Sequence, residues 1–565
     1  MNLIKKWNLS ESDKWERAEA LCAIAGQFFV GLWAFLMLTV FPLYMKNYFS
    51  KLGVHKFRFF MAVTLCCMIP AAVCLAGKAV VRWVRSRKAG TAKADSMEGR
   101  EYRDSDCGLD AASVLEKLSP LDFAMLWYLA AALLSWKFSI NREHAWIGTE
   151  GWYGGLRTQL LLVLIYFLVS RAFLWKKIIF AGHFVVSGLV FLLGIGHRFG
   201  IDPLGMYEGI DASYQLRFLS TIGQATWYSS YVCTVLVIGV VLFFLEKKPA
   251  LRLMLGIYCS LGFATVVTQN SDSAFIAMAF MSLGLFLAGC DSPEKMERFF
   301  EVMILMFGTF KVVGIFQTMF PKRAMELGSV SEFLSKSMVS WLILLAFCIL
   351  YIAIQAYRLR PPQKQAFTCA RLWRRLTVGC VAVLLGFYIL FLWANTTGLL
   401  ERLWGIRPDH DYLLFDDSWG NSRGFIWAFV QRTFGAFSWM RKLVGVGPDC
   451  FSVYCYADSE TAGYLNRFFG QNQTLTNAHN EFLNTLFCMG IFGLISYLAV
   501  FFLAFRRFFI KRKECPLALM GALVVMAYGA HNFFCYQQVC CAPFLFFILG
   551  MAENAVRTSK SDFSE

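Results

Sequence analysis

Charge is what this chain has least of. Charged residues make up 16% of its 565 positions against 58% hydrophobic ones, and the mean hydropathy is +0.52. That is more apolar surface than a soluble core can hide, so an ordinary soluble protein is excluded. Histidine is also scarce, at seven residues, so each side chain that ionises near neutrality is informative by its position. No small-residue cleavage pattern follows Leu21 to Tyr44, which is too long for a signal-peptide core and reads as a first membrane span. Neither a second, soluble domain nor an inverted repeat of the kind many transporters show is visible.

What is present is a series of apolar runs of about 17 to 24 residues, the length that crosses a bilayer as helix. They begin near Leu21, Phe59, Leu121, Gln159, Ile178, Thr226, Leu251, Ser273, Phe299, Met338, Leu376, Phe482, Leu517 and Cys541. The expected fold is an all-α integral membrane protein: one polytopic domain over residues 1–565 with about 14 transmembrane helices. The net charge of +16 does not point to nucleic acid, because the basic residues fall in short clusters between runs. Examples are Arg82, Arg85, Arg87 and Lys88, then Arg358, Arg360, Lys364, Arg371, Arg374 and Arg375, then Arg506, Arg507, Lys511, Arg512 and Lys513. With a cytoplasmic N-terminus these share one side, which holds roughly 33 Lys and Arg against about 12 in the short loops opposite. Both termini are then cytoplasmic, residues 82–119 form a flexible cytoplasmic loop, and the long segment 396–481 lies outside with short interfacial helices.

Eighteen cysteines are present, but Cys66, Cys67, Cys74, Cys233 and Cys259 sit inside spans, where thiols behave as small hydrophobes. Cys450 and Cys455 lie in the outer loop, where a bridge is open to them, and their spacing fits no metal motif.

The outer loop concentrates the polar chemistry. Asp409 and Asp411, with His410 between them, offer hard oxygen ligands to a divalent cation or simply form a solvated acidic loop. Asn421 or Ser422 is placed to cap a helix whose aromatic face of Phe425, Trp427, Phe429 and Phe434 suits a membrane interface. Arg423 then falls in the first turn, where a cation is unfavourable without an anion nearby. Asp416 or Asp417 in a salt bridge would supply one, and so would a bound phosphate. Gly445-Val446-Gly447-Pro448-Asp449 reads as a turn, since it lacks the Lys and strand context of a phosphate-binding loop. Thr476 or Asn477 is the expected N-cap of the next long helix, which puts His479 in its first turn. There the helix dipole keeps the ring neutral with a lone pair free to accept a proton, although an interfacial role would also account for it. Arg217 precedes a span as an anion contact or an interfacial anchor, and His531-Asn532 ends the next-to-last span on the same outer side.

Ser271-Asp272-Ser273, then Arg423-Gly424-x-x-Trp427, then Gly445-x-Gly447-Pro448-Asp449, then His479-Asn480-Glu481-Phe482-Leu483 running into Gly490-x-x-Gly493 resembles the O-antigen ligase and Wzy-type O-antigen polymerase family over roughly 217–504. The resemblance implies a glycosyltransferase of the bacterial cytoplasmic (inner) membrane. It would take a glycan from undecaprenyl diphosphate and pass it, without metal or other cofactor, to an acceptor glycan or glycolipid hydroxyl. His479 is similar to the family's loop histidine, the general base, and Arg423 to the arginine that holds the lipid diphosphate. Asn480, Glu481, Asp449, Asp272 and His531 take supporting places. Many members carry Ser-Arg-Gly where this chain has Ser271-Asp272-Ser273, and Arg217 is the expected source of the missing charge. Membrane lipid and glycan-export and chain-length proteins are the implied partners. The number of spans favours a polymerase over a ligase. A transporter or flippase would account for the spans and for Lys78 and Lys311, but not for a long outer loop ending in His479. A metal-dependent transferase with acidic ligands in its first outer loop finds none between Tyr44 and Arg58.

Overall fold

The computed structural model describes residues 11–94, 118–211, 215, 217–360, 370–410, 412–471 and 473–561. These residues form an all-α membrane protein, and their only sheet is a short hairpin pairing Phe218 with Gln224 and Leu219 with Gly223. Each expected span start lies in a helix or, for Cys541, one residue before one. Nine helices among the described residues are long and apolar enough to cross a membrane, and Ser273–Gly289 and Pro516–Asn532 are shorter apolar helices.

Burial separates core from periphery. Ala225–Leu245 is apolar all round and almost wholly buried, as a helix at the centre of a bundle must be. By contrast Met338–Arg358 and Leu372–Thr396 expose nearly all their apolar surface, with Leu342, Leu345, Ile349, Val383, Phe387 and Leu390 facing outward. In water such a face would be a liability; in a bilayer it meets lipid.

Polar groups tie the bundle at both ends. At one end Ser119 and Asp122 form a capping box for Pro120–Lys137, and Asp122 also accepts from Tyr166 (2.8 Å) and pairs with Arg171 (3.0 Å) and Arg557 (2.5 Å). Asp291 likewise gathers Arg374, Arg512 and Lys295. The basic clusters are therefore partly neutralised by a few buried acids on their own side. At the other end Lys56 donates to the carbonyls of Phe41 (2.7 Å) and Pro42 (2.8 Å), holding the close of the first long helix.

Two expectations change here. The segment expected as a flexible loop from Arg82 stays helical to Ala94, continuing Leu52–Ala94; residues 95–117 lie outside the described ones. The aromatic face expected at a membrane interface is covered by protein instead: Phe425 stacks on Phe468 (3.7 Å, 5°), which belongs to the helix Ser459–Phe469, and Phe429 is buried.

Candidate active site

Arg423 is positioned by a break in its helix. Gly420, Asn421 and Ser422 take left-handed conformations (φ 58°, 61° and 66°), so the helical run starts at Arg423 and no side chain caps it, contrary to the expected role of Asn421 or Ser422. Asp416 is spent locally, accepting from the Ser418 hydroxyl (2.7 Å) and from the amides of Ser418 and Trp419 (both 3.0 Å). The guanidinium donates to the Phe534 carbonyl through Nε (2.9 Å) and Nη2 (2.6 Å) and to the Gly420 carbonyl through Nη1 (2.5 Å). Neither Asp416 nor Asp417 pairs with it, which removes the salt-bridge account of this arginine. Among the described residues no carboxylate pairs with the fork, which still has N–H groups to give.

His479 lies just before a helix rather than in its first turn. The N-cap of Glu481–Lys511 is Asn480, whose Oδ1 accepts from Leu483 N (3.0 Å), and not Thr476 or Asn477. Asn477 instead accepts from His479 N (2.9 Å) and helps hold the residue at a left-handed φ of 47°. The ring stands edge-on to Tyr536 (5.5 Å, 89°). Burial first, and then the nearby Arg423 charge, push its pKa down to about 4. It is neutral at pH 7 for these reasons and not through the helix dipole.

The segment after His531 completes the site. Glu481 is buried and accepts from Gln537 N and from Thr485 Oγ1 (3.4 Å), so it fixes the backbone that carries Tyr536. Arg423 fixes the same segment from the other side through Phe534. Tyr536 in turn meets Trp152 (5.1 Å, 82°), and Trp152 meets Trp227 (5.2 Å, 83°), making an aromatic wall beside His479. His531 turns into the bundle, with Nε2 on Ser229 Oγ (2.7 Å) and Nδ1 on Asn532 Oδ1 (2.9 Å). Cys535 donates to Ser273 (3.5 Å), which bonds Ser271 (2.8 Å), so those two serines reach the site through a thiol. Asp272 points elsewhere, accepting from Tyr412 OH (2.6 Å).

Asp449 joins two outer segments. Its Oδ2 accepts from Thr149 N (2.7 Å) and Gly154 N (2.8 Å), and its own carbonyl takes Thr149 Oγ1 and His144 Nε2 (both 3.2 Å). Burial lifts its pKa to about 7 against the pull of these amides. It anchors the turn carrying Trp152. Arg217 is exposed at the hairpin, giving its carbonyl to Ala225 N (2.8 Å), and the cluster around Arg423 is built from other residues. Cys450 and Cys455 are buried and not bridged. Asp409 and His410 are exposed, and Asp411 lies outside the described residues.

Sequence reasoning missed Tyr536, Trp152 and the Thr149–Gly154 turn. Their one signal is composition, since 146–155 holds two Trp, a Tyr and four Gly in a polar stretch.

No curated protein matches this chain. Residues 324–498 match the family model described as O-antigen ligase. The matched segment carries Arg423, Asp449 and His479, and leaves Trp152 and Tyr536 outside it. The motifs from Arg423 to Gly493 fall inside the matched segment and Ser271-Asp272-Ser273 falls outside it, and the chain is a multi-pass bacterial membrane protein that is similar over residues 324–498 to the O-antigen ligase family.

Proposed function

We propose that this protein is a metal-independent, inverting glycosyltransferase of the bacterial inner membrane. It moves glycan from an undecaprenyl diphosphate-linked donor to an acceptor hydroxyl at the outer face, as a polymerase of lipid-linked repeat units. The observation that carries the reading is the pairing of a neutral His479 with an Arg423 that has no carboxylate partner among the described residues, both fixed to the segment Phe534–Gln537. The donor already has a good leaving group, so its need is charge stabilisation, and each charge-assisted bond from an arginine fork contributes on the order of 1.5 to 3 kcal/mol. The acceptor hydroxyl is the weak partner. Its proton passes to the free ring nitrogen of His479 as its oxygen bonds the anomeric carbon. The bond from that carbon to the phosphate oxygen breaks, both electrons leave with the lipid diphosphate, and the anomeric centre inverts. The donor's negative charge would offset the Arg423 field and raise the basicity of His479 when it is needed. Tyr536, Trp152 and Trp227 supply flat apolar surface for a sugar ring.

Purified protein incubated with a lipid-linked repeat unit alone tests the proposal. A ladder of products is expected; product only after a second acceptor is added would make it a ligase. Movement of lipid between leaflets with no new glycosidic bond would make it a flippase. Activity that survives a chelator is expected, and its loss would revive Asp409 as a metal ligand.

A further inference from the structure

A cavity of about 470 Å³ opens between the helices Leu52–Ala94 and Leu156–Ala172, lined by Phe57, Arg58, Met61, Ala62, Tyr153 and Arg157. Both arginines lie near the starts of their helices, on the side assigned as extracytoplasmic. Arg157 sits over the Phe57 ring (5.0 Å), and that ring stacks on Tyr153 (3.9 Å, 7°), which is held at a left-handed φ of 52°. Among the described residues neither arginine forms an ion pair. Glu150 is near enough to act on Tyr153 but bonds neither guanidinium. Arg157 Nε is buried with no acceptor among the described residues, a deficit of about 1 to 3 kcal/mol. Two like charges thus line one cavity, and one of them has an unmet donor. An anion corrects both faults together.

The apolar part of the lining narrows what kind of anion fits. Met61 and Ala62 follow Phe57 and Arg58 by four residues, so they continue the same helix face one turn deeper into the membrane. Ala62 is exposed and Met61 partly so. A charged head beside an apolar track is what a lipid phosphate presents. The cavity also neighbours the reaction site, because Tyr153 follows Trp152, whose ring meets Tyr536, whose ring meets His479.

We propose that Arg58 and Arg157 hold the phosphate of a second lipid, a lipid-borne phosphate or diphosphate bound in addition to the one assigned to Arg423. That this lipid is the acceptor, a second undecaprenyl diphosphate-linked glycan, rests on the transfer reading above; the phosphate site itself does not.

Native mass spectrometry of the full chain in phosphatidylcholine nanodiscs tests it, with undecaprenyl diphosphate and phosphatidylglycerol titrated separately. The wild type should bind two undecaprenyl diphosphates, and the R58Q/R157Q variant should lose one, with affinity at that site falling about tenfold for each arginine removed. Loss of phosphatidylglycerol alone would also support the phosphate site and make its occupant a structural phospholipid. Unchanged binding of both lipids by R58Q/R157Q overturns the proposal. Should the double variant unfold, R58Q at an exposed position gives the same reading, with weakened lipid binding expected and unchanged binding fatal. A wild type that binds two lipids but makes no glycosidic bond sinks the transfer reading and leaves the cavity assignment standing.

Discussion

His479 is neutral because of where it is buried and what stands beside it, and both causes have measurable consequences. Its replacement by Gln should reduce turnover about a hundredfold to ten-thousandfold while leaving donor binding intact; near wild-type transfer by an amount-matched variant would end its role as base. The same burial gives a sign to the acid response. The folded-state pKa of about 4 lies below the unfolded value of about 6.5, so on acidification the unfolded chain takes the proton first. Stability is therefore lost as pH falls from about 6.5 to about 4. Thermal unfolding followed across that window should be less pH-sensitive in His479→Gln than in the wild type. Arg423 makes its three bonds with a planar fork that a lysine cannot copy. Arg423→Lys should weaken donor binding at least about tenfold in a lipid-binding titration, and unaltered binding would mean the guanidinium serves only Phe534 and Gly420.

At the scale of elements, the site depends on one break in the helix Glu481–Lys511. Gly490 there has φ 69° and ψ −169°, so the carbonyls of Phe487 and Cys488 leave the helix ladder and accept from Val446 N (3.3 Å) and Gly447 N (2.9 Å). A Cβ on Gly490 would meet the Leu443 carbonyl oxygen at 2.3 Å, and one on Gly445 would meet that of Cys488 at 2.2 Å. Gly490→Ala should therefore cost more than about 1 kcal/mol of stability, since neither the backbone sign nor the space suits a side chain. Lowered thermal stability together with lowered transfer would show that the Gly445–Asp449 turn docks through this break. Hydropathy made the helix starts readable from sequence, because apolar length is a local property. Asn480 as cap, the left-handed Gly420–Ser422 step and the cover over Phe425 were not readable. The cap is a local bond from Leu483 N to Asn480 Oδ1, for which Thr476 and Asn477 were equally eligible by residue type, whereas the last two go with contacts farther along the chain, Phe534 against Arg423 and Phe468 against Phe425. For the same reason His479 and Arg423 stood out by residue type, while the turn carrying Trp152, 327 residues before His479 in the chain and joined to its loop by Asp449, did not.

At the scale of the whole molecule, the site makes sense only if its contributors share one side of the membrane. Arg423, Asp449 and His479 come from the long loop, Thr149, Trp152 and Gly154 from the segment after Pro120–Lys137, and Phe534 to Gln537 from the segment after Leu519–Asn532. If every expected span crosses and the N-terminus is cytoplasmic, all three segments lie outside and the Asp122 and Asp291 clusters inside, where the excess of basic residues would also be. Losing one crossing between Gly154 and Asp449, or one between Arg423 and Phe534, would separate Asp449 from Thr149 or Arg423 from Phe534, bonds of 2.7 to 2.9 Å that cannot span a bilayer. An epitope inserted beside the exposed Asp458 should therefore react in intact spheroplasts, whereas tags at either terminus should react only after permeabilisation. Terminal tags that react in intact spheroplasts would invert the topology and place His479 on the cytoplasmic side. A donor presented at the outer leaflet could not then reach it.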